Sequence, residues 1–427
     1  MIARAWPSAT ALLAATLLPL AAGAADFSFD ASEIEKKVFE WGGTLEAKQE
    51  GLRLRPASPL VGLSLPGAAP RERLDRSTGT LELFARVNAG ALVADLRTRS
   101  VAAHDAQADT ADSRVLDGGL RWTLSPQWTL DAGKRVQRWG KGYAWNPVGF
   151  IERPKDANDP QQAREGYTML AAEWVRSFDG AWGGALSAAS VTAVLVPTQG
   201  QLNTGYGATG HLNPAIKLYA LVHDTDIDIL WAGQGSRPAR VGIDFSRNLG
   251  PQLEVHGEWA RTWDAQRPLV PAAGATTLQR VDATSALIGL RYITEREVTW
   301  IAELYRNGSG YTREAYADFL QAAASATPVR AAQLAQTPYL RPNPGRDYAY
   351  LRISAKEPFD WLYVTPALTA IVNLRDHSHT LTPEIGYTGI DNVELRARWV
   401  VLHGAADSEF GARPIRSRVE AYARWSF

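Results

Sequence analysis

The chain has 427 residues, 45 basic and 45 acidic, so its formal charge is zero and nothing marks it as a nucleic-acid binder. It has no cysteine, which excludes disulfides and thiolate metal sites. Fifteen Trp, 14 Tyr and 36 Gly against two Met argue against a large helical core.

The chain opens with Arg4, a short apolar run from Ala9 to Leu20, and the small-residue pattern Ala22-Gly23-Ala24. That is the layout of a secretory signal peptide, assigned to residues 1–25. The run is too short for a membrane-spanning helix, which needs about 20 apolar residues. Asp30 and Glu33 have capping-box spacing, so residues 26–38 are read as a short periplasmic segment with one helical turn.

From residue 39 to 427 the dominant signal is period 2, the mark of strands with two unlike faces. Leu81, Leu83, Ala85 and Val87 oppose Glu82 and Arg86, and Val241, Ile243 and Phe245 oppose Arg240 and Asp244. Leu253, Val255 and Trp259 oppose Glu254, His256 and Glu258. Val298, Trp300, Ala302 and Leu304 oppose Glu303, and Leu351 and Ile353 oppose Arg352. Val393, Leu395, Ala397 and Trp399 oppose Glu394, Arg396 and Arg398.

Short turns such as Ser125–Gln127, Asn248–Pro251 and Asp391-Asn392 alternate with long polar connections near 52–77, 99–113, 139–165, 196–210, 264–280 and 307–346. The expectation is an all-β, transmembrane, antiparallel up-and-down barrel of about 18 strands, with 16 the alternative. Its greasy face would be outward and its polar face would line a lumen. In hydrocarbon every backbone amide needs a partner within the protein, so such a sheet must close. Trp41, Trp128, Trp361 and Trp425 are expected at the inner interface and Trp263 at the outer one, as an aromatic girdle.

One stretch stands apart. Gly133-Lys-Arg-Val-Gln-Arg-Trp-Gly-Lys-Gly-Tyr-Ala-Trp-Asn-Pro147 runs from a strand read as Trp128 to Arg138 into a loop rich in Pro and Asp. The Gly-x-x-x-x-x-Trp-Gly spacing before Asn-Pro resembles a strand-to-loop junction of porin-like barrels of the alginate-export and related types. About 15 residues carry that resemblance. The expectation is that this loop folds inward and narrows the lumen. Arg135, Arg138, Lys141, Arg153, Asp156 and Asp159 would then set selectivity, with Arg240, Asp244, Glu254, Glu258, Glu303, Arg352, Glu394, Arg396 and Arg398 lining the passage. The alternative is an ordinary outer loop anchored by Trp139 and Trp145.

Residues 313–336 are Ala-rich and helix-prone, broken at Pro328, and fall in an outer loop as a cap or plug. The final ten residues place Val419, Ala421, Ala423, Trp425 and Phe427 on one face. That ending resembles the C-terminal strand of Gram-negative outer-membrane barrels, and implies recognition of Phe427 by the barrel-assembly machinery.

Catalysis finds little support: the seven histidines are scattered, and no nucleophile elbow, zinc helix or phosphate loop occurs. No cofactor or metal is expected, and the remaining partner is outer-membrane lipid. The reading is therefore a channel for passive or substrate-selective passage of small polar solutes, with the Arg-rich rows favouring anionic or sugar-acid ones. The alternatives are a non-conducting docking barrel for an envelope export complex and an outer-membrane hydrolase.

Overall fold

A computed structural model of the chain describes residues 37–64, 72–160, 164–178 and 184–427. The signal peptide and the helical turn expected at 30–37 fall, but for residue 37, outside the described residues. The strands are β1 (Phe39–Leu54), β2 (Arg73–Ala89), β3 (Leu92–Asp105), β4 (Asp109–Ser125), β5 (Trp128–Arg135), β6 (Tyr167–Ser177), β7 (Leu186–Thr198), β8 (His211–Val222) and β9 (Thr225–Ala232). They continue with β10 (Arg240–Asn248), β11 (Leu253–Leu269), β12 (Thr277–Ile293), β13 (Val298–Arg306), β14 (Asp347–Ala355), β15 (Val364–Asn373), β16 (His379–Ile390), β17 (Val393–His403) and β18 (Ile415–Ser426).

Each strand pairs antiparallel with the next, and β1 pairs with β18, so the 18 strands form a closed barrel. The seam runs from Thr44↔Ser426 to Leu54↔Ile415. Closure removes the edges that an open sheet of this size would expose.

Alternation sets which side chains face out. Leu45, Leu83, Leu120, Trp259, Ile288, Leu304, Trp399 and Val419 are exposed on the outer surface. Their sequence neighbours Glu46, Glu82, Arg121, Glu258, Glu303, Arg398 and Glu420 point inward, as their cross-lumen and cross-strand partners below show. An outward apolar skin of this extent is what hydrocarbon requires and what soluble monomers avoid.

The connections correct the sequence reading in detail. β5 ends at Arg135, so Arg138 belongs to the following loop. The long polar connection expected at 99–113 is a three-residue turn, because β3 and β4 extend to Asp105 and from Asp109. The outward faces there are polar (Ser100, His104, Asp109, Ser113), which hides the alternation that marks the strands elsewhere. The stretch at 264–280 is likewise mostly strand, and only residues 270–276 connect β11 to β12.

Among the described residues three α-helices, all in outer connections, gather over the mouth: α1 (Val61–Ser64), α2 (Arg313–Ala324) and α3 (Pro328–Ala335). Thr312 caps α2 by accepting from the Ala315 amide at 3.2 Å. Thr327 caps α3 ahead of Pro328, whose ring suits the first helical position. Leu60, Leu63, Val270, Tyr316, Phe319, Leu334, Tyr339 and Ala412 form one buried cluster. It ties together the connections after β1, β11, β13 and β17, so the mouth carries a packed lid.

Candidate functional site: the lumen and its inward loop

The loop joining β5 to β6 turns into the barrel and is gripped by wall carboxylates. The amides of Lys141 and Gly142 donate to Glu258 Oε1 at 2.7 and 2.6 Å, and that of Val148 donates to Oε2 at 3.2 Å. The amides of Tyr143 and Ala144 donate to Glu303, the latter at 2.9 Å. Five backbone donors thus meet two lumen glutamates, each a charge-assisted bond.

The local sequence allows this approach. Gly140 has φ +99, and a Cβ there would lie 2.7 Å from Glu258 Oε1. A Cβ on Gly142 would fall 2.2 Å from the Trp145 carbonyl oxygen. The loop also reaches deep: the Tyr143 hydroxyl donates at 3.1 Å to Glu254, the second residue of β11, at the short-turn end of the barrel.

Apolar packing seals the loop to one side. Trp139, Val148, Phe150 and Ile151 are buried against Tyr167, Met169, Val194, Val196, Leu230 and Ala260. Farther along, Ala144, Trp145 and Ala157 pack on Leu287, Tyr348, Tyr350, Ile371 and Phe410. The Trp145 ring stacks on Tyr305 with centroids 5.0 Å apart, and its indole N–H donates to Asn343 Oδ1 at 3.2 Å. Trp139 and Trp145 are thus interior packing residues, not anchors of an outward loop.

Beneath the loop lie three carboxylates abreast. Asp228, Asp244 and Glu258 are direct cross-strand partners on β9, β10 and β11, all buried. Lys141 Nζ reaches Asp228 at 3.1 Å and Asp244 at 4.0 Å, and Lys217 reaches Asp228 at 3.6 Å. His256 is fully buried, with Nε2 3.0 Å from Glu303.

The opposite wall, from β16 through β18 and β1 to β5, is open to water and built from paired charges. Arg97 bonds Glu82 at 2.9 Å, Arg121 meets Asp131 at 3.2 Å and Arg352 meets Glu384 at 3.1 Å. Arg424 bonds Glu46 at 2.7 Å, while Arg398 and Arg418 share Glu420. Formal charge balances, yet exposure does not. The Arg97, Arg121 and Arg424 side chains are 49%, 55% and 39% exposed; their acids Glu82, Asp131 and Glu46 are 14%, 13% and 16% exposed. At these pairs the acids lie against the wall and the guanidinium groups stand out into the water. The order reverses at Arg396 and Glu394, at 21% and 26%, and at Arg135, 7% exposed, with Asp95 and Asp117 at 22% and 26%.

The sequence-predicted residues divide accordingly. Arg135 is buried, held by Asp95 at 2.6 Å, Asp117 at 3.0 Å and Asp131 at 3.3 Å, so it fastens the loop's base. Arg138 is exposed and, among the described residues, has no ion-pair partner. Arg153 pairs with Glu165 at 3.3 Å and lies over the Tyr167 ring. Asp156 is exposed and accepts from the Asn158 amide, shaping a turn, whereas Asp159 reaches across to Arg398 at 3.7 Å. Arg240 is pressed over Phe150 beneath the loop. Glu254, Glu258, Glu303 and Asp244 face the loop, and Arg352, Glu394, Arg396 and Arg398 line the open side. Sequence reasoning missed Glu46, Asp95, Asp117, Asp131, Asp228 and Glu384. Strand phase places each on the lumen face, but their partners sit on other strands.

Trp41, Trp128, Trp263, Trp361 and Trp425 are all exposed; Trp41, Trp128, Trp361 and Trp425 lie at or near strand ends, and Trp263 lies within β11. The His377–His379 pair holds no metal geometry: among the described residues no group of three or more candidate ligands converges. In the lid, Glu409 accepts from Tyr348 at 2.5 Å and Asn373 at 2.8 Å. Burial pushes its carboxyl up to about 7, against the pull of Arg413.

No family model matches the sequence, and no curated protein matches it. Solved structures do. OccK11 (OpdR) of Pseudomonas aeruginosa is 11% identical with a TM-score of 0.53, over 91% of this chain and 96% of its own. OpdQ of the same organism is 9% identical with a TM-score of 0.53, over 91% and 99%. Wzi, an Escherichia coli outer-membrane protein involved in group 1 capsule assembly and described as a carbohydrate-binding β-barrel, is 10% identical with a TM-score of 0.53, over 90% and 84%. This chain has the fold of outer-membrane porin barrels. At such identities the likeness is one of fold.

Proposed function

We propose that the protein is an outer-membrane channel for small polar solutes, with anionic ones preferred. The observation that carries this reading is the one-sided lumen. A docked loop fills one half, and a wet wall whose guanidinium groups outreach their carboxylates bounds the other. Such a wall concentrates anions and repels cations without a net charge. The exposed apolar skin and the tryptophans near both rims support residence in a bilayer. Outward Trp425 and the seam-forming β18 support recognition of the last strand, with Phe427, by assembly machinery.

Planar-bilayer recording tests the proposal. The purified barrel should give discrete conductance steps and, under a salt gradient, a reversal potential of anionic sign. Absence of steps, or cation preference, would sink it.

The lid gives a second reading its own observation. Its packed core across the mouth fits a non-conducting barrel that docks envelope machinery, and a silent barrel that copurifies with a periplasmic partner would favour it. A hydrolase is less well supported, because His256 is fully buried with its ring nitrogen held by Glu303, out of reach of substrate.

A further inference from the structure

The outer rim above the seam carries positive charge that has no ion-pair partner among the described residues. Arg53 of β1 and Arg73 of β2 are direct cross-strand partners, on the outward face by strand phase, and both are exposed. Like charges directly opposite on a sheet repel. Arg416, exposed at the irregular start of β18, lines the same rim cavity of about 570 Å³, together with Arg55. Glu72 also lines it, and Asp75 lies nearby on β2. Yet neither acid comes within ion-pairing distance of the three arginines. Burial, and then the charge of Arg416, pulls Arg55 below its ordinary range.

Two other arginines near the rim are paired, Arg261 with Asp282 at 3.0 Å and Arg313 with Asp407 at 3.3 Å, while Arg280 of β12 stands alone among the described residues. Among the described strands, Arg53 and Arg73 are the directly facing arginines that lack an ion-pair partner.

What lies beneath it is also unusual. Down the outward face of the same strands, small residues (Ala47, Gly79, Ala102, Ala111, Ala421 and Ala423) floor a depression of about 1110 Å³. Gln49 and Ser77, hydrogen-bonded at 2.6 Å, mark its upper edge. Arg53 stands four residues beyond Gln49, about 13 Å along the strand. A groove for hydrocarbon thus ends below an anion-seeking cluster, at the level where lipid headgroups meet water.

The geometry points to a binding site for a phosphorylated, multiply acylated lipid of the outer leaflet, its phosphate held by Arg53, Arg73 and Arg416 and an acyl chain lying in the Ala/Gly depression. Guanidinium forks match phosphate oxygens bidentately, and a divalent phosphate relieves the repulsion between facing arginines. The inference rests on the proposed membrane setting, though not on conduction.

The test uses the purified barrel in neutral detergent with three probes: a bisphosphorylated, multiply acylated glycolipid, the same lipid stripped of phosphate, and inorganic pyrophosphate. Native mass spectrometry and thermal midpoints report binding. The phosphorylated lipid should bind at least tenfold more tightly than its stripped form. The R53Q/R73Q double variant should lose at least tenfold, while R261Q, at a paired rim arginine, should lose nothing. Gly79→Leu, which fills the depression, should weaken the lipid and leave pyrophosphate unchanged. Without lipid, R53Q/R73Q should melt no lower than wild type, because it removes repulsion.

Equal binding of the stripped lipid, or undiminished binding by the double variant, would overturn the site. Pyrophosphate binding as tight as the lipid's and indifferent to Gly79→Leu would overturn the lipid assignment. Channel recordings of R53Q/R73Q should match wild type, since these side chains face outward. A barrel that never conducts but binds the lipid as expected would refute the channel alone.

Discussion

The two halves of the lumen start from the same alternation and end in opposite states. On β9 to β13, inward carboxylates are covered by a loop and satisfied by its backbone amides. On β16 to β18 and β1 to β5, inward carboxylates are satisfied by arginines and left in water. The first arrangement holds the loop in place, and the second leaves its charges in water. Charge on an inward face therefore does not by itself make a pore lining; what covers the charge decides.

The largest expected effect comes from removing what the loop grips. Glu258→Ala with Glu303→Ala deletes the acceptors of five amides, and bonds to charged groups contribute about 1.5–3 kcal/mol each. Single-channel conductance should rise several-fold while the barrel still runs faster unboiled on a gel. Unchanged conductance would mean the dry half is sealed without these bonds.

Next comes Arg135→Gln, which leaves Asp95, Asp117 and Asp131 facing one another. Losing the shared partner of partly buried charges costs about 3 kcal/mol, so the expected readout is a lower melting temperature. Arg138→Gln, at an exposed and unpaired arginine, should leave the melt unchanged. On the open wall, Arg97→Gln with Arg121→Gln should lower the anion-to-cation permeability ratio about twofold, read as a reversal-potential shift.

A smaller effect concerns pH and the lid. Glu409 carries a folded value near 7 against an ordinary 4.5. Its protonated form is the one favoured by burial, so lid stability is full below about 4.5 and declines as pH rises through 7. Protection factors in residues 404–414, the intrinsic exchange rate at each pH divided by the observed rate, should be larger at pH 5 than at pH 8, and Glu409→Gln should flatten the difference. Smallest of all, brominated lipid should quench Trp41, Trp128 and Trp425 more than the interior Trp139, measured in single-Trp variants.

Much of the fold is legible because period 2 is a local property. Val419, Ala421 and Trp425 declare their face within eight residues, and the short turns fix the strand count. The signal fails near the β3–β4 turn, where the outward residues His104 and Asp109 are themselves polar, so that hairpin reads as a loop. For the site, Gly140 and Gly142 betray a close backbone approach, but not to what. That Lys141 and Gly142 meet Glu258 is a fact of curvature, since more than a hundred residues separate them in the chain. The three acids around Arg135 come from β3, β4 and β5, and no window of sequence brings them together.

The tie between Trp145 and Asn343 has a mechanical consequence. Asn343 belongs to the connection that carries α2 and α3, so the plug is hooked from above by the lid it lies under. Displacing the loop therefore breaks a bond to the cover as well as its bonds to Glu258 and Glu303. In a conducting barrel, a ligand that braced the cover from outside would also hold the loop beneath it.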